Sequence, residues 1–153
     1  GGSFFYRGNW NTCPQEAAAN FQKTLVELVK AHPSIERVTI VSHSYGGVLA
    51  STWGRLYDAE RMSHVHLVAS PLAGYRKLDK LCPPLNIGPL PVKENLQWHQ
   101  WRTQHQLDGA FKDLPVDPQI IPGGEIITLP ARYKKHRLGH NRSLSWVAEQ
   151  IKN

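Results

Sequence analysis

The segment Arg37–Val38–Thr39–Ile40–Val41–Ser42 is β-branched and almost continuously apolar, and it runs without a spacer into His43–Ser44–Tyr45–Gly46–Gly47. That is the pattern of a strand buried on both faces of a parallel sheet. Val48 to Tyr57 then has helical character, and His64–Val65–His66–Leu67–Val68–Ala69 reads as the next buried strand. A strand, a sharp turn, a helix and a second apolar strand point to an α/β fold, a mostly parallel sheet with flanking helices.

The rest of the chain fits around that unit. Phe4–Phe5–Tyr6 is a short aromatic run that predicts a strand, with a loop through Asn11. Thr12–Cys13–Pro14–Gln15 has the form of a capping box, and Phe21, Leu25, Leu28 and Val29 recur at helical spacing until Pro33. Prolines and glycines cluster from Pro71 to Val92, so residues 71–96 are expected to form a long loop, or a lid over a substrate site. Strands are expected at Gln97–Thr103, carrying Trp98 and Trp101, and at Glu125–Leu129. A closing helix is expected from Ser143, with Leu144, Val147, Ala148 and Ile151 on one face. With 153 residues and 41% hydrophobic content the chain supports one core, hence a single domain over 1–153.

A net charge of +6 favours anionic surfaces, yet no nucleic-acid fold signature accompanies it. The densest basic run, Arg132–Tyr133–Lys134–Lys135–His136–Arg137, reads as a solvated face, with attraction to phosphate or anionic lipid as the alternative. No apolar run is long enough to span a bilayer, and Gly1–Gly2–Ser3 has no signal-peptide character. Cys13 and Cys82 show neither zinc nor redox spacing; they either pair in an oxidising compartment or stay buried and free.

The turn after the first long apolar strand is where chemistry is expected. A serine hydroxyl needs a base to remove its proton, and it must stand clear of the sheet to reach a carbonyl carbon. Ser42–His43–Ser44–Tyr45–Gly46 lies between a predicted strand and a predicted helix, the context of a nucleophile elbow, where small flanking residues such as Gly46 allow close backbone approach. The same turn places the Tyr45 backbone N–H at a helix N-terminus, where it can stabilise a developing oxyanion.

Val41–Ser42–His43–Ser44–Tyr45–Gly46–Gly47 resembles the elbow of α/β-hydrolase lipases and esterases, in which Gly-His-Ser-x-Gly-Gly is usual; Ser42 stands where glycine is usual. The resemblance implies a triad in chain order Ser, Asp, His. His140, in Leu138–Gly139–His140–Asn141, lies between the last predicted strand and the final helix, where such a family places its base. A polar helix cap is the other reading of His140, and His136 is the substitute base. For the acid, Asp108 is favoured over Asp117 and Asp113. Gln106–Leu107–Asp108–Gly109–Ala110 is similar to the Asp-Gly acid loop of several bacterial lipases, with glycine letting the chain turn away. The resemblance further implies earlier strands and a second oxyanion donor that have no counterpart in this sequence, leaving a sheet edge for a partner, a second copy or the chain's own loop to cover.

The resemblance implies a serine hydrolase that cleaves carboxylic esters, with a small-molecule ester as substrate and no cofactor or metal needed. A thioesterase or amidase would use the same triad, and a non-catalytic binding module or incomplete fragment is the alternative class. His64 and His66 share a strand face and could begin a metal site, although sheet histidines are the simpler reading. Trp98 and Trp101, near His99 and His105, line a pocket or fill the core.

Overall fold

The computed structural model describes residues 2–4, 6, 12–74, 82–85 and 87–152. Among these residues, three helices, α1 (Pro14–Ala31), α2 (Tyr45–Leu56) and α3 (His140–Ile151), surround a sheet of four strands. These are β1 (Arg37–His43), β2 (Met62–Val68), β3 (Leu96–Arg102) and β4 (Glu125–Thr128), paired in sequence order and all parallel. A two-stranded antiparallel ribbon, β5 (Arg132–Tyr133) and β6 (His136–Arg137), precedes α3. The general α/β architecture expected from the sequence is therefore present. Among the described residues no helix is long and apolar enough to cross a membrane.

Local chemistry accounts for the helices, with two departures from expectation. Pro14 occupies the first turn of α1, where a missing N–H costs nothing, but the N-cap is Cys13 and no side chain caps it. Thr12 stands one residue too early for the capping box, and the Gln15 side-chain amide donates to the Pro83 carbonyl at 3.3 Å. Helix α3 starts at His140 rather than Ser143, with Gly139 as N-cap. Phe4 and Tyr6 lie outside any strand: their rings touch His32, just beyond α1, and Phe21 on it, with centroids 5.8 and 5.3 Å apart, and both residues stay exposed. Phe5 lies outside the described residues.

Two apolar clusters hold the layers. Between α1, α2 and one sheet face lie Ala18, Ala50, Trp53, Val65, Leu67 and Trp98. Trp53 is fully buried, meets Phe21 edge-on at 5.4 Å and donates its indole N–H to Gln22 at 2.7 Å, so its polar atom is satisfied where its ring is buried. Under α3 lie Val68, Ala69, Phe111, Leu129, Leu138 and Val147, with Trp101 and Trp146 packed against them. Trp98 and Trp101 thus fill cores.

Strand β1 is not buried on both faces. It forms the sheet edge, its residues alternate between exposed and half-buried, and Val41 is 45% exposed. An apolar run reports strand propensity and cannot report which strand will lie at the edge.

Cys13 and Cys82 form a disulfide with Cα atoms 5.5 Å apart, joining the start of α1 to the Pro/Gly-rich segment across 69 residues. Closing a loop of that length restricts the unfolded chain by about 4 kcal/mol in the chain-entropy account. Farther along the segment, Arg55 donates to the Gly88 and Pro89 carbonyls, and the Lys93 ammonium donates to the Arg55 and Tyr57 carbonyls. That anchorage lies at the C-terminal end of α2, about 18 Å along the helix from Ser44.

His64 and His66 share a face with His99. The His66 ring stacks on His99 at 4.5 Å and accepts the Trp101 indole N–H at 3.0 Å, and His64 Nδ1 lies 3.0 Å from His99 Nε2. Among the described residues no three ligating groups converge to hold a metal. Burial, then the neighbouring His99 and His64, lowers the His66 pKa from 6.5 to about 4. A buried neutral imidazole with a depressed pKa contributes stability that is fully present above pH 6.5 and lost as pH falls from 6.5 to 4, by about 3 kcal/mol in total. The urea midpoint is expected to fall between pH 7.5 and pH 4.5, and to fall less in His66→Gln. An equal fall in both proteins would show that His66 does not carry the effect.

Candidate active site

Ser44 occupies the one-residue junction between β1 and α2, with φ 55° and ψ −124°. Positive φ is unusual for a residue with a Cβ and costs on the order of 1–3 kcal/mol, so the surrounding structure must impose it. Its N–H is pinned to the Val68 carbonyl at the end of β2, 2.8 Å away, and its carbonyl accepts the Gly47 N–H at 2.9 Å. The side chain is thereby turned out of the sheet at the start of a helix.

The glycine at this turn that has no room for a Cβ is Gly47, packed against the Ser70 side chain, and not Gly46. A Cβ on Gly46 would meet only the Ser42 Cβ at 3.8 Å, an ordinary contact, whereas one on Gly47 would lie 1.8 Å from Ser70 Oγ and 2.4 Å from its Cβ. Gly46→Ala is expected to change stability by less than about 0.5 kcal/mol and Gly47→Ala to cost about 1–3 kcal/mol. Urea denaturation of the two variants checks this, and equal midpoints would contradict it. Ser42, in the position where glycine was expected, donates its hydroxyl to the His66 carbonyl at 2.9 Å and so is satisfied within the sheet.

His140, the first residue of α3, lies 96 residues from Ser44, with Nε2 2.9 Å from Ser44 Oγ. Its other ring nitrogen, Nδ1, lies 3.0 Å from Asp108 Oδ2. With Nδ1–H donating to the carboxylate, Nε2 is left to accept the Ser44 proton. The Phe111 ring meets the imidazole edge-on at 5.0 Å and limits its rotation.

Asp108 follows a short 3₁₀ turn, His105–Leu107, after β3, and is fully buried. Burial alone would raise its carboxyl. Hydrogen bonds from His140, from the Thr103 hydroxyl to Oδ2 at 2.5 Å and from the Ala110 N–H to Oδ1 at 2.9 Å outweigh it and hold the group below its ordinary value. Gly109 does not have positive φ, and a Cβ there would meet nothing within 4 Å, so the turn at Asp108 does not depend on glycine. Asp117 is a turn residue whose Oδ1 accepts the Gln119 N–H at 3.1 Å; Asp113 and His136 are exposed and take no part.

Two contributors were not singled out from the sequence. Thr103 closes the acid side, and its only sequence cue is its place just after β3. His43 donates from Nε2 to the His140 carbonyl at 2.8 Å, with ring centroids 4.8 Å apart. Burial lowers the pKa of His43, so this neighbour adds no cation beside His140 at neutral pH. Ser143 Oγ donates to the same carbonyl at 2.5 Å, fixing the backbone at His140 from a second side.

Tyr45 opens α2 directly after Ser44 and is buried. It lies at the N-terminal end of a helix, where the helix dipole favours negative charge. The assembly therefore contains a hydroxyl, an acceptor for its proton, a buried carboxylate that orients the acceptor, and a helix N-terminus beside the hydroxyl. Compared with family models, with curated proteins and with solved structures, the chain gives no match.

Proposed function

We propose that the chain is a serine hydrolase of the α/β-hydrolase type that cleaves carboxylic esters through an acyl-enzyme on Ser44. The observation that carries this reading is the hydrogen-bonded series Ser44–His140–Asp108, headed by a serine with positive φ between a strand and a helix. The likeness of Val41–Gly47 to a lipase elbow points the same way.

Ser44 Oγ attacks the ester carbonyl while His140 Nε2 takes its proton; the imidazolium is stabilised by Asp108 and then protonates the departing alcohol. Water enters, gives its proton to His140 and attacks the acyl carbon, and Ser44 regains its proton as the acid leaves. The oxyanion formed in each step meets the N–H of Tyr45. These bond changes draw on side chains and water.

The test is rapid mixing with 4-nitrophenyl butyrate. A burst of nitrophenol equal to the enzyme concentration, with a butyryl adduct on Ser44 in acid-quenched protein, is expected. Folded protein with neither burst, adduct nor steady-state release of nitrophenol would leave a binding module as the reading. The same experiment with a butyryl thioester separates esterase from thioesterase by the ratio of their kcat/KM values.

A further inference from the structure

The basic run before α3 is only partly engaged by the fold. Lys134 pairs with Glu149 at 3.3 Å and its ammonium lies 5.0 Å from the centre of the Tyr133 ring, while Arg132 reaches the Lys135 carbonyl. Arg137 differs. Its side chain and that of Arg142 line an open cleft of about 280 Å³ whose wall includes His140, Gly139 and Ala110. Both arginines are exposed, and neither makes an ion pair or side-chain hydrogen bond with any described residue. The nearby carboxylate cannot compensate them: Asp108 is fully buried, with its oxygens committed to Thr103, Ala110 and His140. Two unpaired guanidinium groups thus border a cleft that touches the base.

From this we infer that the cleft binds a phosphate group carried on the alcohol portion of the ester, an inference that rests on the proposed hydrolase reading. The cleft wall contains His140 but neither Ser44 nor Tyr45, so a group bound there lies next to the base that protonates the departing alcohol and not next to the Tyr45 amide. Guanidinium forks match phosphate oxygens in pairs, and two of them balance a dianion. The first turn of α3, from His140 to Arg142, adds backbone N–H groups and the positive end of the helix dipole, with no side chain capping it. The net charge of +6 steers an anionic substrate in the same direction. The phosphate takes no part in the chemistry. The acyl carbon is transferred from the alcohol oxygen to Ser44 and then to water, releasing a carboxylic acid and an intact phosphorylated alcohol.

Two measurements test this. The first compares kcat/KM for the butyryl esters of glycerol and of glycerol 3-phosphate. A preference of about tenfold or more for the phosphorylated ester is expected, seen mainly in KM and weakened by salt, corresponding to about 1.4 kcal/mol. In the double variant Arg137→Gln/Arg142→Gln the ratio is expected to fall towards one. A ratio near one in protein whose Ser44 reacts with a fluorophosphonate would overturn the inference and leave the hydrolase standing. The second measurement follows backbone amide resonances during titration with glycerol 3-phosphate. Saturable shifts at Gly139, Asn141 and Arg142, lost in the double variant, are expected. Saturation without any Ser44 reactivity would keep the anion site and remove the hydrolase; no saturation would remove the site. Offering the phosphorylated ester in solution and as 1-acyl-glycerol 3-phosphate in neutral phosphatidylcholine vesicles assigns the anion to a soluble compound or a lipid headgroup by which form turns over faster.

Discussion

Ser44→Ala is expected to lower kcat/KM for 4-nitrophenyl butyrate by about 10⁴-fold or more, and His140→Ala by a similar factor, because each removes one end of a single proton-transfer unit. The double variant is expected to be no worse than either single one. In the proposed mechanism the hydroxyl makes the covalent bond, and at 2.9 Å from Nε2 it lies within proton-transfer reach of the base. Stability should respond differently from activity at this position. Alanine keeps a Cβ at φ 55°, whereas glycine tolerates that backbone without strain, so Ser44→Gly is expected to be inactive yet more stable than Ser44→Ala by about 1 kcal/mol. Turnover and urea denaturation of the three proteins check this together. More than a few per cent of activity in the alanine variant would point to another nucleophile.

The second large effect is expected at Asp108. Asparagine has nearly the same shape but presents an amide to His140 Nδ1, which favours the tautomer with the proton on Nε2, unable to accept from Ser44. A loss of about 10³- to 10⁴-fold in kcat follows, with little change in KM. The Thr103 hydroxyl and the Ala110 N–H, both donors to the carboxylate, meet a poorer partner in the variant. The pH dependence of stability has a definite sign. The folded pKa of Asp108 lies below its ordinary value of 3.8, so the carboxylate contributes stability that is present above pH 3.8 and lost as pH falls below it towards the folded value. Asp108→Asn is therefore expected to flatten the acid limb of the stability curve as well as to lower turnover. Asp117→Asn, which keeps an oxygen for the Gln119 turn, is the control, with less than about threefold change in kcat. A large loss in Asp117→Asn with little in Asp108→Asn would reverse the assignment of the acid.

The parts of this molecule legible in the sequence are those set by local pattern. The apolar runs at 37–42 and 64–69 and the turn between strand and helix at Ser44 depend on residues close along the chain, and the strands and α2 form there within three residues of expectation. Ser44, Asp108 and His140 are legible as residue types in an order, but their meeting is decided by contacts across 96 and 32 residues. Neighbours in space left weaker traces. His43 contacts His140 across 97 residues, and Thr103 contacts Asp108 over the 3₁₀ turn, so nothing in the spacing marks them. The glycine that truly has no room is identified by Ser70, 23 residues away, and pattern alone pointed one residue too early, at Gly46. Likewise, the exposure of Val41 depends on which strands become neighbours, information that an apolar run does not contain.

Whether Ser44 is an activated nucleophile is tested by labelling the purified, folded chain with a fluorophosphonate, read by intact-protein mass and peptide mapping. One adduct per chain is expected, located on Ser44, absent in Ser44→Ala and slowed by several orders of magnitude in His140→Ala. A folded chain that takes no adduct, or takes it at another residue, would contradict it.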